Sequence, residues 1–288
     1  MSEPVAVAVL LAWSATRQDV DPLTGAVTHD PRSVALSAVD EAALEVGLRL
    51  GDEWGADVVA CSAGPASVDG ALELALATGA SRVVRVEVAG DAPAEVVGRA
   101  LAGALRSLGA VMVVAGSHGV DFGSGAVPAV VAHELGAAQA LGLVEVRPGP
   151  AGVAEGIRRA DRGVRERVRV SAPAVISVEG VAAKLRRAGL RATLAAPDRL
   201  IELVDPPSDR RAARTPRVVG AEPYRPRPHV VAPPVGDVAL DRIRDLTGAT
   251  IERTPPRTLE LEPDAAAEAI LDQLGAWGLG PRADGLVD

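Results

Sequence analysis

VVACSAGPASVDGALELALATGASRVVRVEV, residues Val58–Val88, is the stretch whose reading decides the fold. Asp57–Cys61 is apolar enough for a buried strand. Ser62–Pro65 reads as a tight loop. Ser67 stands where it can cap a helix over Val68–Thr78, and Gly79 stands where such a helix ends. Arg82–Val88 reads as the next strand. A strand, a helix of this length and a second strand form one crossover unit, which places the two strands parallel.

The same alternation extends outward in both directions. Val5–Leu11 is a nearly continuous apolar run that suits a central parallel strand. Pro22 and Gly25 give Val20–Asp30 the turn chemistry of a small hairpin. Ser37 reads as an N-cap, with Asp40 and Glu41 in the first turn of a helix that runs to about Glu53. Downstream come a helix over Ala94–Leu108 ending at Gly109 and a strand over Ala110–Ala115. A glycine-rich loop, Gly116–Gly125, follows, and then a helix to about Leu135. The pattern predicts an α/β fold: a doubly wound, mostly parallel, Rossmann-like sheet with helices on both faces. Ligands in such sheets sit beyond the carboxyl ends of the strands, which directs attention to the loops after Leu11, Cys61 and Ala115.

Past Leu141 the pattern changes to strand-like pieces at Leu141–Val146, Val164–Val170 and Ala174–Val178. Arg165, Arg167 and Arg169 fall on one face of the second piece, which reads most simply as exposed. Residues 205–235 are rich in Pro and Arg and read as an extended linker. Structure is expected to return from Leu240, ending in a helix over Asp264–Trp277. The expected division is a nucleotide-binding α/β domain over 1–204 and a C-terminal arm over 205–288. No internal repeat is visible.

Composition narrows the function. Hydrophobic residues make up 48% of the 288, which suffices for a buried core, but aromatics make up 2%. That excludes the rows of stacking rings a single-strand nucleic-acid binder needs. The net charge of −8 also argues against a nucleic-acid partner. Charge is uneven: residues 155–227 hold 17 Lys+Arg against 9 Asp+Glu. The single cysteine, Cys61, leaves no intramolecular disulfide and no cysteine-rich metal site, and it is expected to pack inside its strand. The first apolar run lacks the basic start of a signal peptide, and no run reaches the ~18 residues of a membrane span. A cytoplasmic protein, not itself in a membrane, is expected.

Two loops carry possible chemistry. In Ser62–Ala66, Gly64 permits close backbone approach and Pro65 fixes the turn. In Gly116–Val127 (GSHGVDFGSGAV), glycines and Ser124 precede a helix whose free N–H groups favour an anion. His118 could contact a phosphate there or simply face solvent, and Asp121 could orient backbone amides or make a local turn. The loop is neither a Walker A motif nor GxGxxG, and no GxSxG elbow, nucleophile–base pair or metal-type histidine spacing appears. No catalytic residue is assigned.

At these loops the sequence resembles the β subunit of electron transfer flavoproteins. LALATGAS, Leu74–Ser81, is similar to a segment the family carries at the end of its second helix, after a GPA turn like Gly64–Ala66. VDPLTGAV, Val20–Val27, resembles the family's hairpin, and SAVDEAALEVGLRL, Ser37–Leu50, its first long helix. The resemblance covers about residues 5–205 and resumes at Glu252–Leu274. It implies a heterodimer whose α subunit holds most of the FAD, while β flanks the flavin and buries a structural AMP. It further implies a dehydrogenase as electron donor and a membrane quinone oxidoreductase as acceptor. Carried over, the nucleotide contacts fall at Ala8, Ser37, Ala38, Val39, Asp40 and Ala63, and along Gly116, Ser117, His118, Gly119, Val120, Asp121, Phe122, Gly123, Ser124, Gly125, Ala126 and Val127. The phosphate would sit over Ser124–Val127.

Departures from the family mark a divergent member. Ser37-Ala38-Val39 stands for its Asn-Pro-Phe, so an aromatic near the flavin is missing. Asp121 is the one acid left in a loop that usually has three, His118 replaces a Gln, and Leu10–Leu11 replace a Lys-Arg. The β nucleotide is therefore open between AMP, a second FAD and none. Divergent members accompany specialised redox systems, including mycofactocin-linked ones. The family's partner-docking segment falls on Ala183–Leu190 (AKLRRAGL). Leu190 matches the docking leucine, and Lys184 replaces a Glu, which implies a different dehydrogenase. The plain alternative for this segment is an exposed basic helix. Rival readings of the whole chain are a stand-alone nucleotide-binding module of universal-stress type and a structural subunit with an empty pocket.

Overall fold

In the computed structural model the described residues are 6–120, 123–206, 233–234, 237–247 and 258–277. The chain divides into two units, Met1–Tyr224 and Arg225–Asp288. The first begins with β1 (Ala6–Leu10) and two short antiparallel pairs. In one, β2 (Trp13–Ala15) pairs with β5 (Val34–Leu36); in the other, β3 (Asp19–Val20) pairs with β4 (Val27–Thr28). The order continues α1 (Ala38–Trp54), β6 (Val58–Ala63), α2 (Asp69–Thr78), β7 (Arg82–Val86), α3 (Ala94–Leu108), β8 (Ala110–Gly116) and α4 (Ala126–Leu135). Then come β9 (Ala138–Pro148), β10 (Val153–Arg159), β11 (Arg165–Ser171), β12 (Ala174–Val178), α5 (Leu190–Ala195) and β13 (Glu202–Val204). In the second unit α6 (Ala239–Thr247) and α7 (Pro263–Ala276) are described.

Nine strands form one sheet in the order β11-β10-β9-β12-β8-β1-β6-β7-β13. From β9 to β13 every pairing is parallel, and β10 and β11 add on antiparallel. Helices cover both faces. Leu44 and Leu50 of α1 and Leu72 of α2 pack with Val7 and Val9 of β1. Leu101 and Leu105 of α3 and Val131 of α4 pack with Ala8 and Leu10 on the opposite face. Alternate residues of β1 thus feed two separate cores, which is why the run is apolar without a break. Chain order departs from β1 toward β6 on one side and β8 on the other, so the topological switch point lies between β1 and β8.

The alternation read in the sequence is present, with α3 and β12 at the expected bounds. Gly109 takes the left-handed φ of 65° that stops α3. The expected hairpin is β3–β4, closed by the Asp21 amide on the Ala26 carbonyl. Some elements differ. Ser67 does not cap α2; it lies within a short 3-10 turn, Ala66–Val68, that leads into a helix starting at Asp69. The piece expected at Leu141–Val146 is the longer β9, and β10 was not expected at all. The Pro/Arg-rich linker falls mostly outside the described residues, as do Val5, Asp121 and Phe122.

Candidate functional site

The carboxyl ends of the parallel strands are laced together by main-chain and hydroxyl bonds. The Leu11 amide donates to the Cys61 carbonyl, and Ser62 Oγ donates to the Leu11 carbonyl at 2.9 Å. The Ser117 amide donates to the Val178 carbonyl, and the Gly64 amide to the Val86 carbonyl. Over the switch point sits the start of α1. Ser37 caps it: its hydroxyl accepts the Asp40 amide at 3.3 Å and donates to Asp40 Oδ2 at 2.5 Å. Asp40 Oδ1 accepts the Ala12 amide at 3.3 Å, so one carboxyl ties the end of β1 to the helix. Asp40 is 5% exposed, and burial pushes its carboxyl up to about 6 against the pull of Ser37, Ala12 and His118.

Two glycines let α1 come this close. A Cβ on Gly116 would lie 2.8 Å from Val39 Cγ2 and 3.3 Å from Asp40 Oδ1. A Cβ on Gly180 would lie 3.2 Å from the Ala38 Cβ. Val39 and Asp40 therefore meet Gly116, Ala38 meets Gly180, and Ser37 is held beside them by its bonds to Asp40.

The loop after β8 folds back on itself. The Gly119 amide donates to the Ser124 carbonyl at 2.9 Å, and a Cβ on Gly125 would lie 2.8 Å from the Ser117 carbonyl oxygen. Ser117 Oγ lies 3.0 Å from His118 Nδ1, and His118 and Val120 face solvent. Ser124 Oγ accepts the Ala126 amide at 3.2 Å as α4 begins, with no capping side chain from Gly125. Val127 packs partly against the α3–α4 core, and Gly123 has a left-handed φ of 61°. Ala63 ends β6 and is half-buried at the same rim of the sheet. Ala8 lies apart from these, wholly buried in the middle of β1. The expected residues from Ser37 to Asp40, at Ala63 and along 116–127 thus gather at one end of the sheet, insofar as they are described.

Arg85 was not singled out in the sequence. It is 9% exposed, its guanidinium bonds Asp69 at the start of α2 at 2.8 and 2.9 Å, and its Nε has no partner among the described residues. A charged residue inside an otherwise valine-rich strand, Arg82–Val86, was the available signal.

The segment 181–189 is an irregular extended run, not a basic helix; a helix begins only at Leu190. Its anchor is Arg186, whose backbone amide and Nε both donate to Glu45 Oε2, at 3.1 and 2.9 Å. Arg186 also bonds Asp52 at 3.0 Å. Glu45 is 4% exposed on α1 and accepts Arg49 Nε at 2.8 Å as well. Burial pushes the Glu45 carboxyl up, but the hydrogen bonds from Arg186 and Arg49 outweigh it and hold it below its ordinary value. Leu185 and Ala188 pack on the core beside the anchor. Lys184 is left facing solvent, and Leu190 and Leu194 stand 76% and 69% exposed, one helical turn apart.

Cys61 is fully buried, and burial pushes its thiol up to about 12, so it is a packing residue. Among the described residues no cluster of His, Cys, Asp and Glu is placed to hold a metal. No described helix is long and apolar enough to cross a membrane. A recess of about 330 Å³ opens on the outer sheet between Glu145, Arg147, Glu155, Ile157, Arg167 and Arg169. A smaller one lies at the amino ends of the strands, by Gly109 and Pro173.

A doubly wound sheet whose switch point is closed by a capped helix and a glycine-rich loop defines an α/β protein of the class in which ligands, where bound, sit at that end of the sheet. Comparison with known proteins makes that class specific. Residues 26–206 match the family model described as the electron transfer flavoprotein domain. The chain is 34% identical over 158 residues to the electron transfer flavoprotein subunit beta of Mycobacterium tuberculosis, covering 52% of this chain and 59% of that protein. It is 32% identical over 183 residues to the subunit of the same name from Methylophilus methylotrophus, covering 62% and 69%. The chain thus spans about 59% of the length of the mycobacterial relatives it matches. This chain belongs to the electron transfer flavoprotein β-subunit family.

Proposed function

We propose that the chain is the β subunit of a heterodimeric electron transfer flavoprotein. It carries electrons from a dehydrogenase to a quinone oxidoreductase and catalyses no reaction of its own. The observation that carries this reading is the family match over 26–206, which spans the whole candidate site except the first strand. FAD, held mainly by the α subunit, supplies the one-electron and two-electron chemistry when bound. The residues at the switch point fit a nucleotide in the β subunit. Gly116 and Gly180 let α1 seat closely at the switch point, the Ser37 cap and Asp40 fix it there, and the Ser124–Val127 turn offers the start of α4 to a phosphate. A phosphate held by backbone N–H groups does not depend on the acidic side chains this loop has lost, so the altered loop remains compatible with AMP.

The dehydrogenase would dock on Lys184 and Leu190, presented by the segment that Arg186 pins to α1. The second unit presents exposed apolar residues, Leu240, Ile243 and Leu246 on α6 and Ile270 and Leu271 on α7, which suit an arm that orders against the α subunit. The proposed division between nucleotide-binding domain and arm lies at 204/205.

The deciding experiment is co-expression with the α partner, purification, denaturation and chromatography of the released nucleotides. One FAD and one AMP per heterodimer is the expected result. Two FAD would replace AMP by a second flavin, and FAD alone would mean an empty β pocket. Failure to form any flavin-containing complex overturns the electron-transfer reading.

A further inference from the structure

We propose that the exposed face of the β10–β11 ribbon docks a carboxylate-rich extended segment of a partner protein. The register places Glu155 opposite Arg169, Ile157 opposite Arg167 and Arg159 opposite Arg165. Opposed residues of an antiparallel pair share a face, so these three rows point the same way. The intervening rows, Ala154 with Val170 and Gly156 with Val168, point to the core, where Ala154 and Val170 are buried. Arg159, Arg165 and Arg167 are all exposed.

Charge on this face does not balance. Like charges directly opposite each other destabilise a ribbon, yet Arg159 faces Arg165. No ion pair joins Arg159, Arg165 or Arg167 to any described acid. Glu166 is taken by Arg158 on the other face at 2.5 Å, and Glu145 by Arg147 at 2.5 Å. Residues 145–171 hold seven arginines against four acids, in a chain of net charge −8. An arrangement that weakens the free ribbon is relieved by an incoming anion.

Shape selects the kind of anion. β11 is the last strand of the sheet, so its outer backbone edge pairs with nothing among the described residues. An added strand would complete the ladder and offer a carboxylate at every second residue, matching the two-residue spacing of Arg165 and Arg167. The recess beside them has Ile157 between the arginines and also carries Glu145 and Glu155. Those two acids disfavour a polyphosphate or an anionic membrane and are compatible with sparse carboxylates. Edge arginines also keep strand edges from self-pairing, so the test must separate recognition from protection.

The probe is a fluorescein-labelled dodecapeptide of alternating Glu and Thr, followed by anisotropy against the full chain. Lys–Thr peptide, phosphatidylserine vesicles and duplex DNA serve as comparators. The variant is Arg165→Glu with Arg167→Glu. It puts a carboxylate opposite Arg159, so the ribbon folds at least as well, and it keeps the edge charged. Salt-sensitive binding of the Glu–Thr peptide, weakened at least about tenfold in the double variant with an unlowered melting temperature, is the expected result. Equal binding by wild type and variant overturns the proposal, as does no binding by wild type. Capture of vesicles or DNA in place of the peptide overturns the choice of a protein partner. An Arg165→Thr, Arg167→Thr variant that self-associates, with no peptide binding by wild type, would assign the arginines to edge protection alone.

Discussion

The two halves of the sheet solve different problems. From β12 to β7 the strands are largely buried on both faces, and space decides most of their sequence: small and medium apolar residues, chiefly Val and Ala, with glycine where a helix must touch. In the β10–β11 ribbon one face is exposed, and charge decides it: arginines and glutamates in opposed rows. A change in the parallel half should therefore act through volume and be indifferent to salt. A change in the ribbon should act through electrostatics and fade in salt.

The sharpest contrast is expected from Leu105→Ala. Leu105 is wholly buried between α3 and the sheet, so its truncation should cost about 2–5 kcal/mol in denaturant melts at any ionic strength. Asp40 comes next and breaks the pattern, because it is a charge inside the volume-governed half. Its carboxyl is raised from 3.8 to about 6 in the fold. A raised group favours the folded state most below pH 4 and loses that contribution as pH climbs to about 6. Asp40→Asn should remove this decline, worth roughly 2–3 kcal/mol between pH 4 and 7, as read from melts across pH.

Gly116→Ala should cost about 1–3 kcal/mol, since the new methyl meets Val39 and backbone atoms cannot move aside freely. Under the proposed function it should also lower the AMP content of the purified heterodimer. Arg186→Ala should cost about 1–2 kcal/mol and speed hydrogen exchange in 182–189. It strips the buried Glu45 of its main partner. Glu45 is held low, so this stabilisation is present at neutral pH and is lost as acid protonates the carboxyl; the variant should lose less on acidification than wild type. Arg158→Ala, which breaks an exposed pair with Glu166, should fall within about 1 kcal/mol and vanish in high salt. If it matched Leu105→Ala, the division between the two halves would be wrong.

Legibility in the sequence follows the same division. Where burial imposes a period, the residues announce their structure: α3 ends at Gly109, β12 spans Ala174–Val178, and Ser37 caps α1. β10 was illegible because Gly156 and the charges at 155, 158 and 159 break any alternation, and its partner strands, not its own side chains, define it. The β2–β5 pair is three residues long on each side, too short to carry a pattern. The switch-point residues were legible as loops because their chemistry is local. The anchor between Glu45 and Arg186 was not, since 141 residues separate the partners and each alone reads as an ordinary surface charge. That anchor also explains why Ala183–Leu190 is not the basic helix its composition allows: a side chain and a backbone amide of the same residue must both reach α1.

Trp54 closes α1 with its indole N–H donated to the Gly149 carbonyl, in the turn between β9 and β10, at 3.0 Å. The chain has three tryptophans; Trp13 lies against Gly70 of α2 and Trp277 follows α7. With Trp13 and Trp277 replaced by Phe, the remaining emission becomes an optical gauge of one joint. Its wavelength and quenching by acrylamide would report, in real time and without a label, whether the ribbon stays seated on α1 while a partner occupies its outer face.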